Sequence, residues 1–257
     1  MSYLDELLAS TRGRVAEAKQ RVTQEALEQR IAAVERPRPF TAALSGPDVS
    51  IIAEIKRATP RAGELNRDLN ASDTARAYAD GGAAAISVLT EPEYFWGTVE
   101  DLAAARGPGL PVLRKDFLLE DFQVFESRAL GADAVLVIVR ILIDGLDRLI
   151  ATAGALGMDA LVEVYDERDL DRALDAGAAL IGVNHRDLET FEVDPERTAK
   201  LAPRVPEGCT VVALSGVRSR AEVEELAAAG ASAILVGESL VTASDPAAKL
   251  RELLGRA

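Results

Sequence analysis

Five polar side chains stand where apolar runs of the sequence end. Glu54 and Lys56 close SIIAEIK, Lys115 closes PVLRK, Glu163 interrupts DALVEV, and Asn184 ends LIGVN. Carboxylates and amines in such company can give and take protons, and an amide can orient one of them or a ligand. The two-residue period of a strand puts Glu54 and Lys56 on one face. Each residue alone reads as one member of a structural ion pair. Together, late in four strands, they would converge on one cavity if the sheet closed on itself, and burial there is costly unless they pair or bind ligand. Two small-residue segments, Ser215-Gly216-Val217 and VGES ending at Ser239, follow two further runs. Their backbone N–H groups can approach an anion closely, aided by a short helix starting near Gly237. Acid–base chemistry on a small, phosphorylated, anionic metabolite is the expectation.

The elements that must position these groups are legible as eight short apolar runs: SIIAEIK, AAAISVLT, PVLRKD, AVLVIV, DALVEV, LIGVNH, TVVALSG and AILVG. Near-continuous apolar character suits parallel strands covered on both faces, with helical segments between them. Gly82, Gly131, Gly157, Gly177 and Gly230 recur before strands as left-handed helix stops. Ser219 with Glu222 forms a capping box, and Asp245-Pro246 opens the last helix. The pattern predicts an α/β fold, a (β/α)8 TIM barrel, over an open Rossmann or flavodoxin-like sheet, since no G-x-G-x-x-G follows any strand. One domain is expected over 1–257, with an N-terminal helical extension over 1–46 and the barrel over 47–257. Apolar spacing from Tyr3 to about Val34 predicts one helix, stopped by the prolines of ERPRPF.

Composition narrows the partners. Of 257 residues, 48% are hydrophobic and 28% charged, and 29 basic against 42 acidic residues leave a net charge of −13. That balance disfavours nucleic acid and anionic membranes, so an anionic ligand must be captured by local positive groups. Cys209 is the single cysteine, which suits a reducing cytoplasm and a packing role. The first residues lack a charged leader followed by an apolar run, and no run nears roughly 18 apolar residues. The expected protein is cytoplasmic and unprocessed, a monomer with a dimer as the alternative, with no cofactor and no metal.

Beyond these readings, the sequence resembles the indole-3-glycerol phosphate synthase family of tryptophan biosynthesis. The motifs AEIKRATP, SVLTEPEYFWG, LRKDF, LVEV, GVNHRDLETFEVD and LVGESL carry the resemblance over nearly the whole chain. It implies a carboxy-lyase that closes the indole ring of 1-(2-carboxyphenylamino)-1-deoxyribulose 5-phosphate with loss of carbon dioxide and water. It makes Lys115 the general acid at the ribulose carbonyl and Glu163 a catalytic carboxylate, with Glu54 and Lys56 a second acid–base pair. Asn184 and Arg186 would hold the anthranilate end, a guanidinium being suited to a carboxylate through two hydrogen bonds. Phe95, Phe117 and Leu136 would wall the aromatic ring. Ser215, Gly216, Gly237 and Glu238 would cradle the phosphate, with Lys56 assisting.

The chain also departs from that family. Where members read Ala-Glu-Ser-Gly at the end of the seventh strand, this sequence reads ALSG, placing Leu214 among the substrate-facing positions. A leucine can neither accept a proton nor hold a lysine, so weaker catalysis is expected. Trp96 and Arg61 are further departures, both expected to reshape access to the site. His185, adjacent to Asn184, should point away from the cavity. A barrel that binds a phosphorylated ligand without turnover, and an altered enzyme acting on another carbonyl substrate, are the competing functions.

Overall fold

The computed structural model describes residues 2–256. Eight parallel strands form a closed barrel: β1 (Ser50–Ile55), β2 (Ala85–Leu89), β3 (Val112–Lys115), β4 (Ala134–Ile138), β5 (Asp159–Val164), β6 (Leu180–Asn184), β7 (Thr210–Leu214) and β8 (Ala233–Val236). Neighbours in sequence are neighbours in space, and β1 closes the ring by pairing with both β2 and β8. The eight runs read from the sequence are these eight strands.

Alternation along each strand builds two cores. On β1, Ile51, Ala53 and Ile55 face the surrounding helices and pack with Tyr78, Leu250 and Leu253. Ile52 instead joins Leu113, Leu136, Leu161, Leu214 and Leu235 of other strands. The same alternation carries Glu54 to the inner side, two residues after Ile52. Register sets the depth at which the polar groups stand: Glu54 pairs with Ser87, Leu89 with Lys115, Ile138 with Glu163, and Asn184 with Leu214.

The ring of helices comprises α4 (Ala71–Asp80), α5 (Glu100–Ala105), α6 (Asp121–Ala129), α7 (Leu146–Ala155), α8 (Glu167–Asp175), α9 (Arg197–Leu201), α10 (Arg220–Ala228), α11 (Glu238–Val241) and α12 (Pro246–Leu254). All five glycines read as helix stops have positive φ. The Ser219–Glu222 capping box is formed, and Asp245 caps α12 ahead of Pro246.

The N-terminal segment differs from the single helix expected. It forms α1 (Tyr3–Arg21) and α2 (Gln24–Ala33), separated because Val22 is extended and the Thr23 side chain accepts the Ala26 N–H as the cap of a new helix. A β-branched pair at that point loses little by leaving the helix and supplies the next cap. Leu27 of α2 packs with Val15 and Phe122 of α6. A short α3 (Phe40–Ala43) then closes the barrel floor. There the N–H of Arg38 donates to Asp133 at 2.9 Å and that of Thr41 to Asp159 at 2.8 Å, both carboxylates standing at strand starts. The N-terminal segment thus covers both ends, since Tyr3 and Leu4 of α1 reach the opposite mouth.

Candidate active site

A cavity of about 400 Å³ opens at the carboxyl ends of the strands. Its wall contains every site residue expected from the sequence: Glu54, Lys56, Phe95, Lys115, Phe117, Leu136, Glu163, Asn184, Arg186, Leu214, Ser215, Gly216, Gly237 and Glu238. Strand ends are where the barrel leaves backbone and side chains free to meet a ligand.

At its centre lies one carboxylate between two lysines. Glu54 Oε1 is 2.7 Å from Lys56 Nζ, and Oε2 is 3.3 Å from Lys115 Nζ. Burial alone would raise the Glu54 carboxyl, but Lys115 and Lys56 outweigh it and hold it down to about 2. Glu54 is therefore a fixed negative charge that aims two ammonium groups. Across the cavity, Glu163 is also buried, but no lysine or arginine lies within ion-pair distance of it among the described contacts. Burial pushes its carboxyl up against the opposing pull of Lys115 and of the Asn184 amide. Of the two, Glu163 is the carboxylate better placed to exchange a proton, because its pKa is raised while that of Glu54 is lowered.

Asn184 organises that side. Its Nδ2 donates to Glu163 Oε1 at 2.9 Å, while its Oδ1 accepts from the Arg186 N–H and the Ser215 hydroxyl, each at 3.0 Å. Arg186 Nη1 donates to the Phe191 carbonyl at 3.0 Å, which leaves the guanidinium further donors for a ligand. Burial, then Arg61 and next the Glu238 and Arg218 charges act on Arg186, with a net lowering. Arg61 and Arg218 also line the cavity, so its mouth concentrates positive charge in an acidic protein.

Loops after β7 and β8 form an open cradle. Ser215 (φ 72) and Gly216 (φ 93) turn the chain sharply after Leu214. Left-handed backbone at a serine costs on the order of 1 kcal/mol, offset here by its bond to Asn184. The short helix foreseen near Gly237 is α11, a single turn whose cap is Gly237. Its first N–H groups have no partner within the helix. Gly237 is required by proximity, since a Cβ there would collide with Glu54 Oε1 and lie 2.9 Å from Lys56 Nζ.

Leu214 stands beside these groups, buried and in register with Asn184 and Leu235. A Cβ on Gly182 would come 3.0 Å from its Cδ1, so the absence of a side chain at Gly182 makes room for the leucine. Trp96 is not part of the cavity wall, contrary to a direct part in access. At φ 53 it stacks under Arg67, 4.7 Å from guanidinium carbon to ring centre, joining the loops after β1 and β2. Arg61 does line the mouth. His185 is buried outside the wall, with Nε2 2.7 Å from Thr198 Oγ1. Tyr3, Leu4, Leu188, Phe191 and Arg218 line the cavity without having been singled out from the sequence. Tyr3 and Leu4 come from α1, and no local signal ties α1 to the strand ends. Among the described residues, no group of three or more His, Cys, Asp and Glu forms a metal site, and no helix is long and apolar enough to cross a membrane.

A closed parallel barrel, an acid–base cluster inside its mouth and a glycine cradle after the last two strands define a (β/α)8-barrel enzyme of the phosphate-binding kind. Comparison with known proteins names the family. The model of the indole-3-glycerol phosphate synthase family matches residues 4–253. An indole-3-glycerol phosphate synthase of Parafrankia sp. (strain EAN1pec) is 48% identical over 96% of this chain and 92% of its own. Indole-3-glycerol phosphate synthase 2 of Streptomyces coelicolor is 46% identical over 95% of this chain and 98% of its own. This chain belongs to the indole-3-glycerol phosphate synthase family. Solved structures share the fold at low identity. Thiamine phosphate pyrophosphorylase from Pyrococcus furiosus superposes with a TM-score of 0.58 at 19% identity, covering 80% of this chain and 93% of that one. A mandelate oxidase mutant gives 0.60 at 21% identity, covering 91% and 85%.

Proposed function

We propose that the protein, acting as one catalytic unit over 1–257, converts 1-(2-carboxyphenylamino)-1-deoxyribulose 5-phosphate into indole-3-glycerol phosphate, carbon dioxide and water. The observation that carries this reading is Glu54 standing between Lys56, at 2.7 Å, and Lys115, at 3.3 Å, with Glu163, its carboxyl raised by burial, in the wall of the same cavity.

The phosphate is taken by the backbone after β7 and β8 at Ser215, Gly216, Gly237 and Glu238, assisted by Lys56. Phe95, Phe117 and Leu136 enclose the aromatic ring, and Arg186 with Asn184 holds its carboxylate. The ring carbon bearing the carboxylate attacks the ribulose carbonyl carbon, and Lys115 protonates the developing alkoxide. Without that proton, the alkoxide would carry its full negative charge and expel the ring carbon again. The bond to the carboxyl group then breaks, its electron pair restores the aromatic ring, and carbon dioxide departs. Finally the new hydroxyl leaves as water, protonated by Lys56 of the Glu54–Lys56 pair, while Glu163 accepts the proton lost from the adjacent carbon.

Leu214 bears on rate rather than identity. Lys56 and Lys115 share the Glu54 carboxylate, and Arg61, Arg186 and Arg218 line the same cavity, so positive charge there favours anion binding while each lysine is less tightly aimed than one with a carboxylate of its own. Low exposure of apolar surface supports a monomer: among the described residues only Ile143 and Val193 are large, apolar and exposed. The single cysteine is compatible with the cytoplasm. Steady-state indole fluorescence on addition of the substrate tests the function. Turnover supports it, whereas tight binding without turnover would make the protein a ligand-binding barrel.

A further inference from the structure

We infer that Tyr3, on the N-terminal helix, determines specificity by donating a hydrogen bond from its hydroxyl to the ring carboxylate of the substrate, beside Arg186, a role which rests on the substrate assigned above. Three observations converge on it. Tyr3 lines the cavity although it lies outside the barrel in sequence. Its ring is locked by edge contacts with Tyr94, at 4.8 Å between centres and 79° between planes, and with Phe191, at 5.1 Å and 60°. Its hydroxyl oxygen is buried and has no hydrogen-bond partner.

The third observation sets the problem. Phenylalanine would supply the same packing with no buried hydroxyl to satisfy, and an unpaired buried hydroxyl is a cost to the empty protein. A ligand acceptor removes that cost. The Glu91 carboxylate near Tyr3 does not, because it lies outside hydrogen-bond distance of the hydroxyl and is turned to the N–H groups of Glu93 at 3.0 Å, Tyr94 at 2.8 Å and Phe95 at 3.2 Å. Burial, reinforced by Glu91, also raises the phenol well above its ordinary value, so Tyr3 keeps its proton and can donate it to a hydrogen bond.

Location selects which part of the substrate it meets. Tyr3 rests on Tyr94, in the loop after β2, and on Phe191, in the loop after β6. The Phe191 ring packs on Tyr3 while its carbonyl accepts from Arg186, so one residue positions both donors. Phe95, of the proposed ring wall, follows Tyr94 directly. The phosphate cradle lies elsewhere, after β7 and β8. The ring carboxylate is therefore the acceptor at this end, and α1 contributes recognition as well as cover.

The test uses two open-chain analogues in which the ribulose carbonyl is reduced to an alcohol and cannot cyclise, one with the ring carboxylate and one without. Titration of wild type and Tyr3→Phe with each should show Tyr3→Phe losing affinity about tenfold for the carboxylated analogue and none for the other, the size expected for a hydrogen bond to a charged group. In turnover the loss should fall on KM rather than kcat, with Tm no lower than wild type because the hydroxyl has no partner in the empty protein. Equal affinity of wild type and variant for the carboxylated analogue, or equal losses for both analogues, would overturn the role of Tyr3 alone. Failure of wild type to bind either analogue would overturn the substrate assignment and this role with it.

Discussion

Asn184 Nδ2 donates to Glu163 Oε1 at 2.9 Å, and among the described residues this amide is the one side chain that hydrogen-bonds to the carboxylate. The bond stabilises the charged form, while burial, the larger influence, favours the neutral one. Glu163 therefore ionises above its ordinary range of about 4.3.

A pH dependence with a definite sign follows. Glu163 accepts a proton during dehydration, so it must enter the cycle ionised, and activity should fall as pH drops through its raised value. The acidic limb of kcat/KM is expected above the ordinary glutamate range. Asn184→Ala removes a stabiliser of the charged form and should move that limb to higher pH, in addition to lowering the rate. A limb that stays in place in the variant would detach it from Glu163. Profiles of both proteins between roughly pH 4 and 9 decide this.

Glu54 behaves oppositely. Its carboxyl is held down to about 2 by the two lysines against burial, so its stabilising effect is complete above the ordinary carboxylate range and is lost as pH falls toward that value. Glu54→Gln should cost on the order of 3 kcal/mol at pH 7, because two partly buried ammonium groups lose their counter-charge. The same change should lower kcat by about a hundredfold or more through loss of lysine aim. Denaturant unfolding and steady-state rates measure the two effects.

Gly237 tests the closeness of packing behind that cluster. A methyl at this position meets Glu54 and Lys56 side chains rather than backbone, so the fold can adjust while the ion pair cannot keep its geometry. Gly237→Ala should retain a cooperative unfolding transition and lose at least about tenfold in kcat/KM. An unaffected rate would show that the Glu54–Lys56 spacing is not needed.

Leu214→Glu would supply the carboxylate absent from the end of β7. With Lys56, Lys115 and Arg186 lining the same cavity, a new negative charge has partners there, and kcat is expected to rise about tenfold or more. KM should rise with it as surplus positive charge is neutralised, and Tm should fall as an apolar side chain is lost from the core. A kcat at or below that of wild type would mean the leucine is not what limits catalysis.

The barrel was legible because parallel strands covered on both faces leave unbroken apolar runs, and because glycines such as Gly131 and Gly230 mark the helix ends. The polar centre was legible for the same reason: Glu54, Lys115 and Glu163 interrupt runs that otherwise have no use for charge. What escaped depended on contacts distant in sequence. Nothing around Tyr3 announces Tyr94 or Phe191 as neighbours, and the break at Val22-Thr23 was hidden by helical spacing that continues across it. The hairpin joining residues 58–59 to 63–64 is too short to leave an alternating pattern. Trp96 shows the limit differently, since its departure from the family was visible but its stacking on Arg67 was not.

The most direct test of the central claim is product stoichiometry. Purified protein given 1-(2-carboxyphenylamino)-1-deoxyribulose 5-phosphate should release one carbon dioxide for each indole formed, with both signals lost together in Lys115→Ala. Wild-type protein that binds this substrate yet forms no indole, or Lys115→Ala that turns it over at the wild-type rate, would contradict the assignment of ring closure to this site.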